Sequence, residues 1–190
     1  MQSYSSNEIQ FIAQIYEPPL QYHYLKRPFA LIPATAKEIP VAKYFDNEGN
    51  QLPDEALVTD IAYSVYEISI KPGILFQPHP AFASNAQGHW LYHHLNEQEL
   101  ISVFKLSDLP QTGTRELLAE DYVYQIKRLA HPRLHSPIFG LMADYIVGLS
   151  DYAKVLKQAD QELSKGETYL DLRDYRLDGV QVVDKYTYRI

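Results

Sequence analysis

Residues 61–76 read IAYSVYEISIKPGILF, and this stretch decides which kind of fold the chain can form. It is rich in β-branched and aromatic residues, which favour strands. Apolar and polar positions alternate in its middle, the apolar ones being Tyr66, Ile68 and Ile70 and the polar ones Glu67 and Ser69. Such alternation is typical of a strand with one buried face. We therefore predict a strand over about residues 61–70 that ends at Pro72-Gly73.

The end of the sequence carries a second strand signal. Asp178-Gly179 is a pair typical of two-residue β-hairpin turns. After it, apolar residues alternate with polar ones, the apolar set being Val180, Val182, Tyr186, Tyr188 and Ile190 and the polar set Gln181, Lys185, Thr187 and Arg189. This pattern predicts one half-buried strand over 180–190. We expect this strand and the one at 61–70 to share a central, largely antiparallel sheet.

Helical patterns lie on both sides of the first strand. Over 119–130 an apolar stripe recurs at helical spacing, with acidic residues at the start, basic residues at the end and Pro132 as a stop. The stripe consists of Tyr122, Val123, Ile126, Leu129 and Ala130. Further predicted elements are a helix from Ser6 or Asn7 to Pro18-Pro19, a turn near Asn47 to Asn50, a helix over 97–104 capped by Asn96, one over 137–148, and one over 151–165 with Ser150 as cap and Gly166 just past its end.

Composition and element order indicate one mixed α+β domain over residues 1–190. The net charge of −7 disfavours nucleic acid and anionic lipid as partners unless positive charge is concentrated locally. We find no cluster of lysine and arginine in the sequence, and we therefore predict no nucleic-acid partner. Cysteine is absent from the sequence, which excludes disulfides and thiol catalysis within it. No apolar stretch approaches the roughly 20 residues that span a bilayer, so we predict no direct membrane insertion. The 16 tyrosines fit either half-buried strand faces or an amphipathic contact surface.

The candidate chemistry centres on histidines. His89 and His93 would share one face of a helix at a spacing that zinc sites use, with His94 beside them and Glu97 four residues on. Surface histidines are the alternative interpretation, because Gly88 precedes the run and no glutamate lies between the two histidines. The sequence contains no G-x-S-x-G motif and no phosphate-binding glycine loop. Residues 16–28 mix aromatics with Lys26 and Arg27, which indicates either a binding strip or an ordinary proline-rich connection.

Four segments, taken in order, resemble motifs of the periplasmic solute-binding proteins of family 5, the peptide/nickel-type receptors of ABC importers. They are Ile15 to Leu20 (IYEPPL), Tyr66 to Phe76 (YEISIKPGILF), Ala119 to Leu129 (AEDYVYQIKRL) followed by His131-Pro132, and Gly179 to Ile190 (GVQVVDKYTYRI). Lys71 and Leu118 depart from the arginine and the helix-capping threonine that the family usually has there. Residues 77–117 separate the second and third motifs by more than is usual, and therefore look like an insertion.

The resemblance implies that the chain is an N-terminal fragment, part of lobe I of a type II periplasmic-binding-protein-like fold. A chain that ends on a strand also looks like a cut made at a domain edge. The implied function is capture of a solute, most simply a peptide, for an ABC transporter permease, in the periplasm and with the export signal removed. It implies no enzyme activity and no cofactor. We assign no catalytic residue and no metal ligand, and we carry over no ligand-binding residue, because in the family most ligand contacts come from regions outside this sequence.

Two other functions remain open at this stage. One is a metal-dependent enzyme that uses the loop with His89, His93 and His94. The other is a tyrosine-rich module that binds a protein partner.

Overall fold

The structure is a computed structural model and describes residues 6–163 and 169–190. The chain divides into two compact units, unit 1 with Met1–Lys71 and Leu118–Ile190, and unit 2 with Pro72–Leu117. The strands are β1 Leu20–Tyr22, β2 Leu31–Pro33, β3 Ala42–Phe45, β4 Tyr63–Ser69, β5 Gln181–Asp184 and β6 Thr187–Arg189. The helices are α1 Ser6–Ile12, α2 Glu97–Leu100, α3 Ala119–Lys127, α4 Phe139–Tyr145 and α5 Leu149–Glu162. This is the mixed α+β class with antiparallel sheets that the sequence predicts.

The main sheet of unit 1 has the strand order β3-β4-β6-β5 and is antiparallel throughout. Ile68 lies opposite Tyr188 in the pairing of β4 with β6. The prediction that the strand near residues 61–70 shares a sheet with the C-terminal residues is therefore confirmed. A separate two-stranded sheet joins β1 and β2, with Gln21 opposite Ile32.

The predicted single strand over 180–190 is wrong, because the chain reverses within it. β5 and β6 form a hairpin whose two-residue turn is Lys185-Tyr186, and the Asp184 carboxylate accepts a hydrogen bond from the Tyr186 backbone N–H at 2.8 Å. Asp178-Gly179 forms a turn before β5 instead of a hairpin. A Cβ on Gly179 would lie 2.2 Å from the backbone oxygen of Val147, so this glycine is needed for its small size.

α3 confirms the predicted helix near 119–130, with its last turn tightened into a 3₁₀ helix over Arg128–Ala130. Leu118 precedes it without a side-chain cap, but the Asp121 carboxylate accepts the Leu118 N–H at 2.9 Å. Half of a capping box thus replaces the missing threonine.

The start of the last helix differs from the prediction. α5 begins at Leu149, and its cap is Gly148 with φ of +76°, so Ser150 lies inside the helix and does not cap it. The left-handed glycine lets the chain turn sharply so that Leu149 is fully buried. The predicted stop at Gly166 lies outside the described residues.

The core of unit 1 lies where α3 packs on β5 and β6 and α5 packs on the 128–130 turn. Its largest fully buried side chains are Ile70, Leu149, Leu156, Leu172, Leu177 and Val180. No helix within the described ranges is long and apolar enough to cross a membrane.

Unit 2 contains the whole stretch 77–117 that looks like an insertion in the sequence. Its two ends pair through isolated bridges, Leu75 with Glu116 and His79 with Gly113. The Arg115 guanidinium lies 4.6 Å from the centre of the Phe76 ring, a cation–π contact that gives this small unit an ordered centre. As predicted, Asn96 caps α2 with a complete capping box, although the helix ends at Leu100.

Candidate functional site

Segments that are distant in sequence meet at the hydroxyl of Tyr122 in α3. This hydroxyl donates to the Glu17 carbonyl at 3.1 Å and lies 2.6 Å from Oγ1 of Thr35. The Thr35 hydroxyl donates to the Pro18 carbonyl at 3.2 Å. On its other side the Tyr122 ring stacks on Tyr188 of β6, with ring centres 5.5 Å apart and planes inclined by 20°. We call this group of five residues the Tyr122 junction.

The two hydroxyl groups of the Tyr122 junction are both hydrogen-bonded. Two hydroxyl protons serve three short oxygen contacts, so one proton is shared between two acceptors. Thr35 is only 1% exposed and Tyr188 only 3%. Burial is the main reason that the pKa of Tyr122 and the pKa of Tyr188 lie above the ordinary value for tyrosine. Both phenols therefore stay neutral near pH 7, where they serve to hold the chain together.

Backbone hydrogen bonds extend the junction to the second motif segment. The Ala36 N–H donates to the Pro19 carbonyl at 3.1 Å, and the Lys71 N–H donates to the Thr35 carbonyl at 2.9 Å. The Lys71 ammonium also donates to the Ala34 carbonyl at 2.7 Å. Lys71 thus binds the 34–35 backbone, at the position where the resemblance leads one to expect arginine.

A surface cavity of about 530 Å³ opens beside α3 in unit 1. It is lined by Glu120, Val123, Tyr124, Lys127, Arg173, Asp174, Tyr175, Arg176, Leu177, Val180, Gln181 and Val182. The Lys127 ammonium donates to the carbonyls of Leu172 and Tyr175, at 3.1 and 2.7 Å. Burial lowers the pKa of Lys127, while Glu120 and Asp171 oppose that shift. Lys127 therefore fixes the 172–175 loop in place.

The two arginines of this cavity are also paired. Arg173 binds the carboxylate of Asp171 through a short two-pronged contact, and the hydrogen bond from Arg173 lowers the pKa of Asp171. Arg176 pairs with Asp178 at 2.7 Å. Burial, with a hydrogen bond to Tyr169 next, raises the pKa of Tyr124 to about 12. The twelve lining residues include no serine, threonine or histidine, and with three basic and two acidic side chains this wall is not strongly cationic.

The histidines of unit 2 do not form the predicted helical pair. Residues 89–95 are not helical: Trp90 forms an isolated bridge with Ser84, and 91–94 are bends and turns, so His89 and His93 do not share a helix face. Nε2 of His93 lies 2.9 Å from the Ala81 carbonyl, and its ring stacks on Trp90 with centres 5.0 Å apart. Within residues 6–163 and 169–190, no group of three potential metal-ligating side chains comes together. The structure thus does not bring His89, His93, His94 and Glu97 into one site.

Unit 2 has its own open cavity, also of about 530 Å³. Its lining includes Pro78, Pro80 and Pro110 with Leu106 and Leu109, next to the polar tip of His79. Nδ1 of His79 accepts the Ala81 N–H at 3.0 Å, which leaves the imidazole as a turn cap. The cavity is open, and its lining adds the polar side chains of Gln77, Ser107 and Thr112 to these apolar ones.

Sequence reasoning missed the residues that carry the junction. Tyr122 was placed in the apolar stripe of α3, but its hydroxyl makes the long-range contacts. Thr35 lies in a run of small residues, Ala34 to Ala36, that carries no recognisable motif. Its only sequence signal is a hydroxyl between two alanines.

No protein-family model, no curated protein and no solved structure matches this chain. The resemblance to family 5 therefore stays a prediction that depends on the four motif segments.

Proposed function

We propose that this chain is part of lobe I of a periplasmic solute-binding protein of family 5, which captures a peptide and delivers it to an ABC transporter permease. The observation that carries the proposal is the Tyr122 junction. It joins the IYEPPL segment, the helix segment and the C-terminal strand segment, and Lys71 of the second motif bonds to the same Thr35. Motifs that co-occur in one order and also pack together are more specific than any one of them.

The exposed area of the chain supports the idea that further polypeptide covers part of it. The solvent-accessible surface is 13,919 Å², whereas a compact monomer of this mass exposes about 9,300 Å². Two separate compact units of these sizes would still expose only roughly 11,000 Å² together. Large apolar side chains contribute to the excess, among them Phe11 at 71% and Ile15 at 66% exposure.

In this proposal, unit 1 is a supporting wall and performs no catalysis. Capture would use buried area and polar complementarity between two lobes, with the affinity limited by what closure costs. The two neutral, stacked phenols of the Tyr122 junction suit such a support, because together with the hydrogen bonds of Tyr122 to Glu17 and Thr35 they hold three segments in register. The periplasmic location is part of the same proposal.

The experiment starts with the open reading frame of the parent gene, which we expect to continue for several hundred residues and to carry an export signal upstream. The mature product and the 190-residue chain are then titrated calorimetrically with a mixture of random short peptides. A mixture of free amino acids and Ni²⁺ alone serve as the matched ligand controls. We expect the full product to bind peptides with a Kd of about micromolar or below, and the 190-residue chain to show no such binding.

Two results would contradict the proposal. One is a parent frame whose folded product binds no peptide. The other is binding by the 190-residue chain alone that is as tight as binding by the full product, since this would make the chain self-sufficient. Preference for Ni²⁺ over peptides would keep the family and change the solute.

A second candidate, a tyrosine-rich interaction module, is favoured by one observation. Several tyrosines of unit 1 are well exposed, with Tyr24 at 88% and Tyr145 at 79%. The densest group of exposed aromatics lies in the connection between β1 and β2.

A further inference from the structure

The connection between β1 and β2 carries an apolar tip that projects into solvent. We define the hairpin tip as residues 22–29, YHYLKRPF, which close the two-stranded sheet. Four of its side chains are more than half exposed: Tyr22 at 67%, Tyr24 at 88%, Leu25 at 76% and Phe29 at 69%. These four residues together expose several hundred Å² of surface, which is comparable to the largest apolar patch on a typical monomer.

The hairpin tip is ordered by specific contacts despite this exposure. Nδ1 of His23 accepts the backbone N–H groups of Leu25 and Lys26, at 3.2 and 3.3 Å. The Arg27 guanidinium donates to the Lys26 carbonyl at 2.9 Å and lies 4.5 Å from the centre of the Phe29 ring. A binding surface that is already ordered loses less conformational entropy when its partner arrives.

The charge around the hairpin tip is opposite to that of the whole chain. Residues 18–37 contain no aspartate or glutamate but carry Lys26, Arg27 and Lys37, whereas the chain as a whole has 24 acidic residues against 17 basic ones. The positive charge is therefore local, next to the exposed aromatic rings. A surface that complements the tip must be negative and must accept apolar side chains.

We propose that the hairpin tip docks on the surface of an anionic lipid bilayer. Tyrosine and phenylalanine favour the interface between headgroups and acyl chains, and lysine and arginine can extend from there to lipid phosphates. Lysine is depleted from protein–protein interfaces but attracted to anionic leaflets. A convex tip of eight residues also offers a protein partner no groove, while a bilayer needs only shallow entry of a few side chains.

The acidic remainder of the chain does not prevent this contact. Charges more than about 10 Å from the lipid surface are largely screened at 0.1 M salt, whereas Lys26 and Arg27 would lie within that distance of the phosphates. The docking is peripheral and differs from insertion of a spanning segment. It does not depend on the proposed transport function, since it needs no peptide and no permease.

The test is co-sedimentation of the 190-residue chain with vesicles of phosphatidylcholine, with and without roughly a third of phosphatidylglycerol. We expect binding to the anionic vesicles that weakens strongly between about 0.05 and 0.5 M salt. Reversal of charge in Lys26→Glu/Arg27→Glu should lower the partition coefficient at least about tenfold, and Leu25→Asp should lower it similarly.

Two matched variants serve as controls. One controls for the change in net charge, and the other controls for the replacement of an exposed apolar side chain by aspartate. Lys154→Glu/Lys157→Glu makes the same charge change on the exposed face of α5, and Val58→Asp places an aspartate at a site that is 86% exposed. Both should bind like the parent chain, and thermal unfolding should be the same for all variants.

The proposal would be overturned by equal binding to neutral and anionic vesicles, by no binding at all, or by tip variants that bind like the parent chain. Tip-dependent dimers in analytical ultracentrifugation without vesicle binding would assign the tip to a second copy instead, and would also overturn it.

Discussion

Tyrosine side chains are buried in one region of unit 1 and exposed in another. In the Tyr122 junction, Tyr122 and Tyr188 stack on each other and Tyr188 is 3% exposed. At the hairpin tip, Tyr22 packs only edge-to-face against Phe29, and Tyr24 is 88% exposed. Both regions follow from the same surplus of one amino acid.

The difference teaches that the number of tyrosines does not reveal their use, whereas the partners of each phenol do. A buried hydroxyl must be hydrogen-bonded, and Tyr122 meets this requirement with Glu17 and Thr35. The hydroxyl of an exposed tyrosine can bond to water, so hydrogen bonding within the protein does not explain the position of its ring. The junction therefore belongs to stability and the tip to recognition, and the following experiments test that division.

The largest expected effect comes from truncating one tyrosine in each region. Tyr188→Ala removes a buried ring and leaves a cavity beside Tyr122, so we expect it to lower the free energy of unfolding by about 3–5 kcal/mol. Tyr24→Ala should change it by less than about 0.5 kcal/mol. Urea unfolding followed by circular dichroism measures both. If the two variants lose similar stability, the division fails.

A glycine exchange tests the close approach at the start of the fourth motif segment. Gly179→Ala puts a Cβ 2.2 Å from the Val147 backbone oxygen, and because backbone cannot rotate away, we expect a loss of about 3 kcal/mol. Gly140→Ala is the matched control, since a Cβ there meets nothing within 4 Å and α4 should gain about 0.5–1 kcal/mol. Thermal unfolding of both variants checks this, and a neutral Gly179→Ala would show that the approach is not so close.

Removal of one hydroxyl tests the hydrogen bonding of the junction. Thr35→Val removes one hydrogen bond to the Pro18 carbonyl and one to the Tyr122 hydroxyl, so we expect a loss of about 1–3 kcal/mol. Thr59→Val, where the hydroxyl is exposed and bonds only to Asp60 among the contacts described, should cost less than about 0.5 kcal/mol. The measurement is again urea unfolding. Equal costs would mean that the junction hydroxyl adds nothing beyond shape.

Alkaline titration gives the smallest effect. Burial raises the pKa of Tyr122 and of Tyr188 above the ordinary value near 10, so the unfolded chain loses these protons first as the pH rises. The stability that the two neutral phenols contribute is complete below pH about 10 and decreases above it. Tyr122→Phe/Tyr188→Phe should therefore show a shallower alkaline loss of unfolding free energy than the parent chain, when both are compared with their own values near pH 8. An unchanged slope would contradict the assignment.

Local rules predicted much of the secondary structure. Alternation found β4, helical spacing found α3, and a capping residue found α2 at Asn96. These features depend on residues a few positions apart, so no tertiary information is needed. The turn at Asn47 to Asn50 is of the same kind, with the Asp46 carboxylate accepting the N–H groups of Glu48 and Asn50 at 2.9 Å.

Predictions failed where packing chose between two local options. Asp178-Gly179 is a pair typical of hairpin turns, but Gly179 instead lies against the Val147 backbone, where only a glycine fits. The hairpin turn is formed by Lys185-Tyr186. Ser150 is a good cap, but burial of Leu149 moved the helix start to Gly148. The histidine spacing suggested a helix face, but His93 instead bonds to Ala81 and stacks on Trp90.

Sequence by itself determined β4, most of the helices, the antiparallel mixed class and the acid-free run around the hairpin tip, because each depends on neighbours along the chain. Only the tertiary structure decided that the half-buried Tyr122 joins the buried Thr35 and Tyr188 while Tyr22 and Tyr24 remain in solvent. The physical reason is that burial and hydrogen-bond partners come from distant residues, such as Glu17 and Tyr122, which are 105 positions apart. No local pattern of tyrosines distinguishes a side chain that will find such a partner from one that will not.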